Sequence, residues 1–177
     1  MAGIYLHIPF CRQQCHYCDF YRVVSHGDNS LFIDALKKEM IIRKDYLAGS
    51  NVSTVYFGGG TPSLLKAEET ASILDHIRNL FRVDSEAEIT LEVNPDDVSH
   101  KYMKDLHRAG VNRISIGIQS FRDEDLKLMN RRHTADQGRE ALDIIRKSGF
   151  DNVSADLIYG IPGMGTENWA ANIDEIL

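Results

Sequence analysis

The chain has 177 residues, 43% of them hydrophobic and 26% charged, with a formal net charge of −6 at pH 7. This balance supports one domain with a sizeable core and excludes a disordered or fibrous chain. No apolar run is long enough to cross a bilayer as a helix, and the acidic balance lacks the footprint of a sequence-independent nucleic-acid binder, so small or hydrophobic ligands are expected and nucleic acid is not.

Met1-Ala2-Gly3 runs straight into a strand-like segment without a basic n-region or apolar h-region, which predicts a cytoplasmic location. In that first strand Ile4, Leu6 and Ile8 alternate with Tyr5 and His7. Directly after it, "CRQQCHYC" spans Cys11 to Cys18 and holds all three cysteines of the chain. A reducing compartment and an odd count argue against a disulfide framework and for metal or redox chemistry. The spacing Cys11-x3-Cys15-x2-Cys18 stands at the carboxyl end of a strand, where parallel α/β folds build their sites. Three readings are open: an iron–sulfur cluster, a structural Cys3His zinc with His7 or His16 as fourth ligand, and unliganded buried thiols. A four-iron cluster on three thiolates would leave one iron free for a substrate or cosubstrate.

Helical patterns follow at roughly 30–48, 66–81, 99–109, 134–148 and 166–177, alternating with strands. Three stretches repeat one unit: "YLAGSNVSTVYFGG" (46–59), "HRAGVNRISIGI" (107–118) and "RKSGFDNVSADL" (146–157). In each, a glycine suited to a left-handed helix cap precedes a β-branched run. "FGGGTPS" (57–63) ends the second strand; Gly58, Gly59, Gly60 and Thr61 permit close backbone approach to a ligand, although a tight strand-to-helix turn would look the same. It lacks the Lys-Ser/Thr of a Walker loop.

Glu92 in "LEVNP", Gln119 in "GIQSF" and Asp156 in "SADLIYG" end the next three strands on their polar faces. A buried Glu92 needs partners, either Arg113 of another strand or a ligand's hydroxyl or ammonium groups. In "NRRHT", Arg131 and Arg132 are adjacent, and Arg132 reads as a surface charge. His133, Met129 and Met164 read as packing residues, and Tyr5 and Tyr17 as core aromatics unless the cysteine loop claims them.

The alternating order implies a parallel sheet with right-handed crossovers. Doubly wound sheets bury both strand faces and read as continuous apolar runs. Here the strands alternate instead. With helices on the apolar side, the polar side chains face a concave interior, as in part of a (β/α) barrel with a lumen wetter than that of a TIM barrel. Five such strands are present and the chain stops within "ENWAANIDEIL", so residues 1–177 are expected to be one domain at the N-terminal end of a longer protein.

"CRQQCHYC" resembles the CxxxCxxC loop of the radical S-adenosylmethionine superfamily. The resemblance implies a partial barrel with about five of six βα units present and a [4Fe-4S] cluster on Cys11, Cys15 and Cys18. It further implies that S-adenosylmethionine chelates the open iron and is reductively cleaved to a 5′-deoxyadenosyl radical. By the same resemblance Gly58, Gly59, Gly60 and Thr61 meet the cosubstrate's amino group, Glu92 its ribose or ammonium, and Arg131 its carboxylate, with Gln119 and Asp156 carried over as further contacts. "YLHIPFC", "CHYCDFY", "LEVNPDD", "RISIGIQSF" and "DLIYGIPG" extend the likeness to the oxygen-independent coproporphyrinogen III oxidase-like group, which puts Tyr5 near the cluster and sulfonium, with a catalytic role, and Tyr17 by the adenine. That group implies haem or a porphyrinogen as partner, an electron donor such as flavodoxin or ferredoxin, and membrane contact only through a haem recipient. It holds both a decarboxylating dehydrogenase and a haem chaperone. The decarboxylases read CxxxCxxCxC and carry a long leading segment; this chain reads Cys18-Asp19-Phe20 and begins its strand at Gly3, which favours the chaperone branch.

Overall fold

The computed structural model describes residues 2–24 and 28–177, so Met1 of the leading segment lies outside them. Strand β1 (Ala2–Ile8) is followed by two short strands, β2 (Phe10–Cys11) and β3 (Val23–Val24). Then come α1 (Ser30–Ile42), β4 (Val52–Gly59), α2 (Ala67–Leu80), β5 (Val83–Val93), α3 (His100–Ala109) and β6 (Arg113–Gln119). Helices α4 (Asp123–Leu128) and α5 (Ala135–Lys147), strand β7 (Asn152–Leu157) and helix α6 (Thr166–Asp174) complete the order. The five long strands form one all-parallel sheet in sequence order, β1-β4-β5-β6-β7.

Each helix buries the stripe its sequence spaces out. Helix α2 covers Thr70, Ile73, Leu74 and Ile77, α3 covers Met103 and Leu106, and α5 covers Gly138, Ala141 and Ile145. These meet the outward strand residues Ile8, Val55, Phe57, Leu91, Ile114 and Ile116 in one core. The caps are local in origin. Ser99 accepts from Tyr102 N at the start of α3, and Thr134 with Gln137 forms a capping box on α5. All three glycines of the repeated unit take positive φ, Gly49 at 76°, Gly110 at 99° and Gly149 at 98°.

The opposite sheet face is polar as the alternation predicts, and its groups satisfy one another. Arg113 donates to Thr90 Oγ1 (3.4 Å) and Ser154 Oγ (2.9 Å), and Ser154 donates to Ser115 Oγ (3.1 Å). Thr90 and Ser115 are buried beneath this network.

The elements differ from expectation at their ends. Helix α1 stops at Ile42, and residues 43–49 turn back to the sheet without forming its last turns; α6 stops at Asp174. The short α4 and the β2–β3 pair have no periodic signal in the sequence, because two-residue strands and a six-residue helix fall below the window in which periodicity can be read. Among the described residues no helix is long and apolar enough to cross a membrane.

Candidate functional site

The site begins where β1 ends. Pro9 turns the chain, Cys11 pairs with Val24 across the β2–β3 ladder, and Val23 N donates to Pro9 O (2.7 Å), so the cysteine loop is closed at its base. Its tip rests on the turn after α4. Gln13 Nε2 donates to both Oδ1 (2.8 Å) and O (2.9 Å) of Asn130, and Asn130 Nδ2 donates to Gln14 O (2.7 Å). His16 N donates to Met129 O (3.1 Å). Asn130 sits at φ 57°, a left-handed conformation asparagine tolerates better than most residues. All three cysteines are free, Cys11 buried and Cys15 and Cys18 half-buried. They line one cavity of about 250 Å³ at the carboxyl ends of the strands.

The glycine-rich turn enters that cavity with its backbone. A Cβ on Gly59, at φ 110°, would lie 2.7 Å from the His7 ring. One on Gly60 would lie 2.8 to 2.9 Å from backbone atoms of Ile8, Pro9 and Phe10. The missing side chains thus make room for the corner that leads into the cysteines, the tight-turn reading of this stretch, while Gly59, Gly60 and Thr61 still line the cavity. Gly58 is buried beneath the Tyr5 and Tyr56 rings and is not part of the lining.

Glu92 reaches the cavity from the end of β5, but not paired with Arg113. It accepts from Tyr56 OH (2.7 Å) and Gly59 N (3.2 Å), while Arg113 turns to Thr90, Ser154 and, at 3.9 Å, Glu88. Burial pushes the Glu92 carboxyl above its ordinary value, and the two hydrogen bonds offset part of that rise. Gln119 lines the cavity from φ 68°, at the end of a register shift between Ile116 and Gln119. Asp156 lines it from β7, and Tyr17 from the loop itself. Arg131 donates through one terminal nitrogen to Tyr17 OH (3.3 Å) and Cys15 Sγ (3.6 Å), and through the other to Asn94 Oδ1 and Gly117 O (both 2.8 Å).

Tyr5 departs from expectation. It lies outside the lining, 58% exposed, with its hydroxyl 3.2 Å from His7 Nδ1 and its ring stacked on Tyr56. Its place on the polar face of the edge strand β1 carries it to the rim. Arg132 is more than a surface charge: it pairs with Asp96, and both line the cavity. His133 and Met129 are buried packing residues, and Met164 packs against the same small cluster as Met129. Asn94 and Ser115, which the period-2 alternation puts on the polar strand faces, line the cavity as well. Sequence reasoning missed Gln13, Arg22 and Asn130, which reach the lining from loops where no periodicity applies.

The donor set fits a metal cluster with an anionic ligand beside it. Three free thiols share one cavity, and the Nε atoms of Arg22 and Arg131, two residues of its lining, are buried without a hydrogen-bond partner. The two histidines of the zinc reading turn to backbone carbonyls. His7 Nε2 lies 2.9 Å from Tyr21 O, and His16 Nδ1 2.9 Å from Leu128 O.

A parallel half-barrel with a three-thiol loop over the carboxyl ends of its strands defines the class of an α/β cluster-binding core. The chain belongs to the radical SAM superfamily, whose family model matches residues 5–176; membership implies S-adenosylmethionine and a [4Fe-4S] cluster as cofactors. It is 37% identical over 173 residues to the haem chaperone HemW of Lactococcus lactis, covering 98% of this chain and 45% of that protein. It is 32% identical over 176 residues to the oxygen-independent coproporphyrinogen III oxidase of Escherichia coli, covering 98% of this chain and 38% of that one. The solved structure of coproporphyrinogen III oxidase (HemN) from Escherichia coli superposes with a TM-score of 0.89 at 32% identity, over 98% of this chain and 41% of that one. The chain therefore spans less than half the length of these relatives.

Proposed function

We propose that Cys11, Cys15 and Cys18 hold a four-iron cluster whose remaining iron takes S-adenosylmethionine, and that this core serves a haem-transferring protein. The observation that carries the site reading is that three free thiols and an arginine with an unpartnered, buried Nε share one cavity. When bound, the cluster supplies the electron for reductive cleavage of the cosubstrate. The chain's own residues do the rest. Arg131 pairs with the cosubstrate carboxylate, for which a planar guanidinium is suited. Glu92, already oriented by Tyr56 and Gly59, accepts from its ribose hydroxyls or ammonium. Gln119, Asp156 and the backbone of Gly59 and Gly60 bound the same space, and Tyr17 covers it from the loop.

Anaerobic reconstitution of the chain should give about four irons and four sulfides per molecule. Substituting any of the three cysteines should abolish them. One tightly held zinc without acid-labile sulfide would overturn the assignment. Arg131→Ala should keep the iron and weaken S-adenosylmethionine binding by roughly tenfold or more, the weight of a charge-assisted hydrogen bond; unchanged affinity would remove the arginine from the site.

Haem transfer is favoured over coproporphyrinogen decarboxylation by Phe20, an exposed residue of the cavity lining at the position where the decarboxylase pattern CxxxCxxCxC carries its further cysteine. Given reductant and S-adenosylmethionine, the protein that carries this core should form no protoporphyrinogen and should pass haem to an apo-acceptor. A flavodoxin or ferredoxin is the proposed electron donor. Decarboxylation at a rate matching S-adenosylmethionine cleavage would restore the dehydrogenase reading and leave the cluster assignment intact.

A further inference from the structure

We infer that Asn94 is a positioning residue that aims two hydrogen-bond donors at the thiol sulfurs and so sets the reduction potential of the cluster they hold. A continuous chain of contacts runs from one cysteine to another through this amide. Arg131 donates to Cys15 Sγ at 3.6 Å with one terminal nitrogen and to Asn94 Oδ1 at 2.8 Å with the other. Asn94 Nδ2 donates to Thr61 Oγ1 at 3.3 Å, and Thr61 Oγ1 donates to Cys11 Sγ at 3.4 Å. The direction of each link follows from the chemistry of its neighbour. A guanidinium has no acceptor, so the amide must turn its oxygen to Arg131. Its nitrogen then faces Thr61 and fills an acceptor site of that hydroxyl. The one proton of Thr61 is left for the sulfur of Cys11. Both ends of the chain therefore donate to sulfur, and Asn94 fixes both at once.

Asn94 is itself held. Its backbone N–H donates to Ser63 Oγ at 3.2 Å, and Ser63 donates to Asp97 Oδ2 at 2.8 Å. Thr61 is buried and gains little from water as an alternative partner. Donors on a cluster's cysteine sulfurs favour its more negative, reduced state and raise its potential. Thr61 thereby acts through Cys11, a different task from contacting the cosubstrate.

This inference rests on the three cysteines being cluster ligands, which iron and sulfide content of the unaltered chain tests separately. The deciding measurement is the midpoint potential of the reconstituted cluster, read by anaerobic redox titration with electron paramagnetic resonance, in Asn94→Ala, Thr61→Val and Thr61→Ser. Asn94→Ala and Thr61→Val should each shift the potential to more negative values, and Thr61→Ser, which keeps the hydroxyl, should restore the unaltered value. The two shifts should be less than additive when combined, because both act on one link. If Asn94→Ala does not assemble a cluster, the valine and serine pair at Thr61 decides alone. Full iron content with an unmoved potential in Thr61→Val and Asn94→Ala would overturn the inference while leaving the ligands in place. Absence of a four-iron cluster from the unaltered chain would overturn both.

Discussion

His133 ties stability to pH directly behind the site. It is 3% exposed, its Nε2–H donates to Ile118 O (3.1 Å), and its Nδ1 is buried without a partner. Charging the ring means placing a proton on that Nδ1, away from water and near Arg131. Desolvation first, then the arginine, lower its pKa from 6.5 to about 4. Between those values the unfolded chain binds a proton that the folded chain does not, so stability falls as pH falls through the window. The loss amounts to roughly 3 kcal/mol once both values are passed. Urea unfolding of the reconstituted protein from pH 7 to pH 4.5 should show this decline, and His133→Asn, which keeps a donor for Ile118 O, should flatten it. An equal decline in the variant would assign it to other groups. The identity of this histidine as packing was legible, since a lone histidine beside an apolar strand is seldom a ligand; its unpartnered nitrogen was not. Glu92 shows the same limit. Its need for a partner could be argued from the strand pattern, but Tyr56 and Gly59 in place of Arg113 could not, because the choice depends on which neighbouring strand brings a donor to the same height in the sheet.

Among the elements, the corner between β1 and β2 controls where the cysteines stand. Gly60 N donates to Ile8 O (2.8 Å), and a Cβ at Gly60 would press on the backbone from Ile8 to Phe10. Backbone cannot swing aside as a long side chain can. Gly60→Ala should therefore cost on the order of 1–3 kcal/mol, the range for overpacking at a closed contact. It should also lower the iron retained after reconstitution, since the corner feeds directly into Cys11. Calorimetric melting together with iron analysis checks this; an unchanged melting temperature and full iron content would show that the corner relaxes. The βα units themselves were readable because each helix carries a buried stripe and each strand alternates. The β2–β3 clasp and the bulge that turns Gln119 to φ 68° were not. Two-residue pairings and left-handed non-glycine residues arise from contacts made elsewhere in the chain.

At the scale of the whole molecule, β7 has a strand neighbour on one side only among the described residues, and none of its six residues is fully buried, four being half-buried and two exposed. Its free N–H and C=O groups can pair with another strand. The 177-residue chain should accordingly self-associate at high concentration. Sedimentation velocity across a concentration series reads this directly, and a monodisperse monomer throughout would show that the edge is protected. On the polar face beside β7, Arg113, Ser154 and Ser115 hydrogen-bond in series, while Glu92, Arg131 and Asp156 line the cavity.

The sequence by itself determined the class of fold, the three-thiol loop and the part of the cavity lining that the strand ends supply, because period-2 alternation, glycine caps and cysteine spacing are local properties that chain order preserves. Only the tertiary structure decided that Tyr5 stands at the rim, that Arg132 reaches Asp96, and that Thr61, Asn94 and Arg131 link Cys11 to Cys15. These residues lie on four different segments, and whether their donors and acceptors meet depends on strand register and loop docking to within a hydrogen-bond length, which no local pattern encodes.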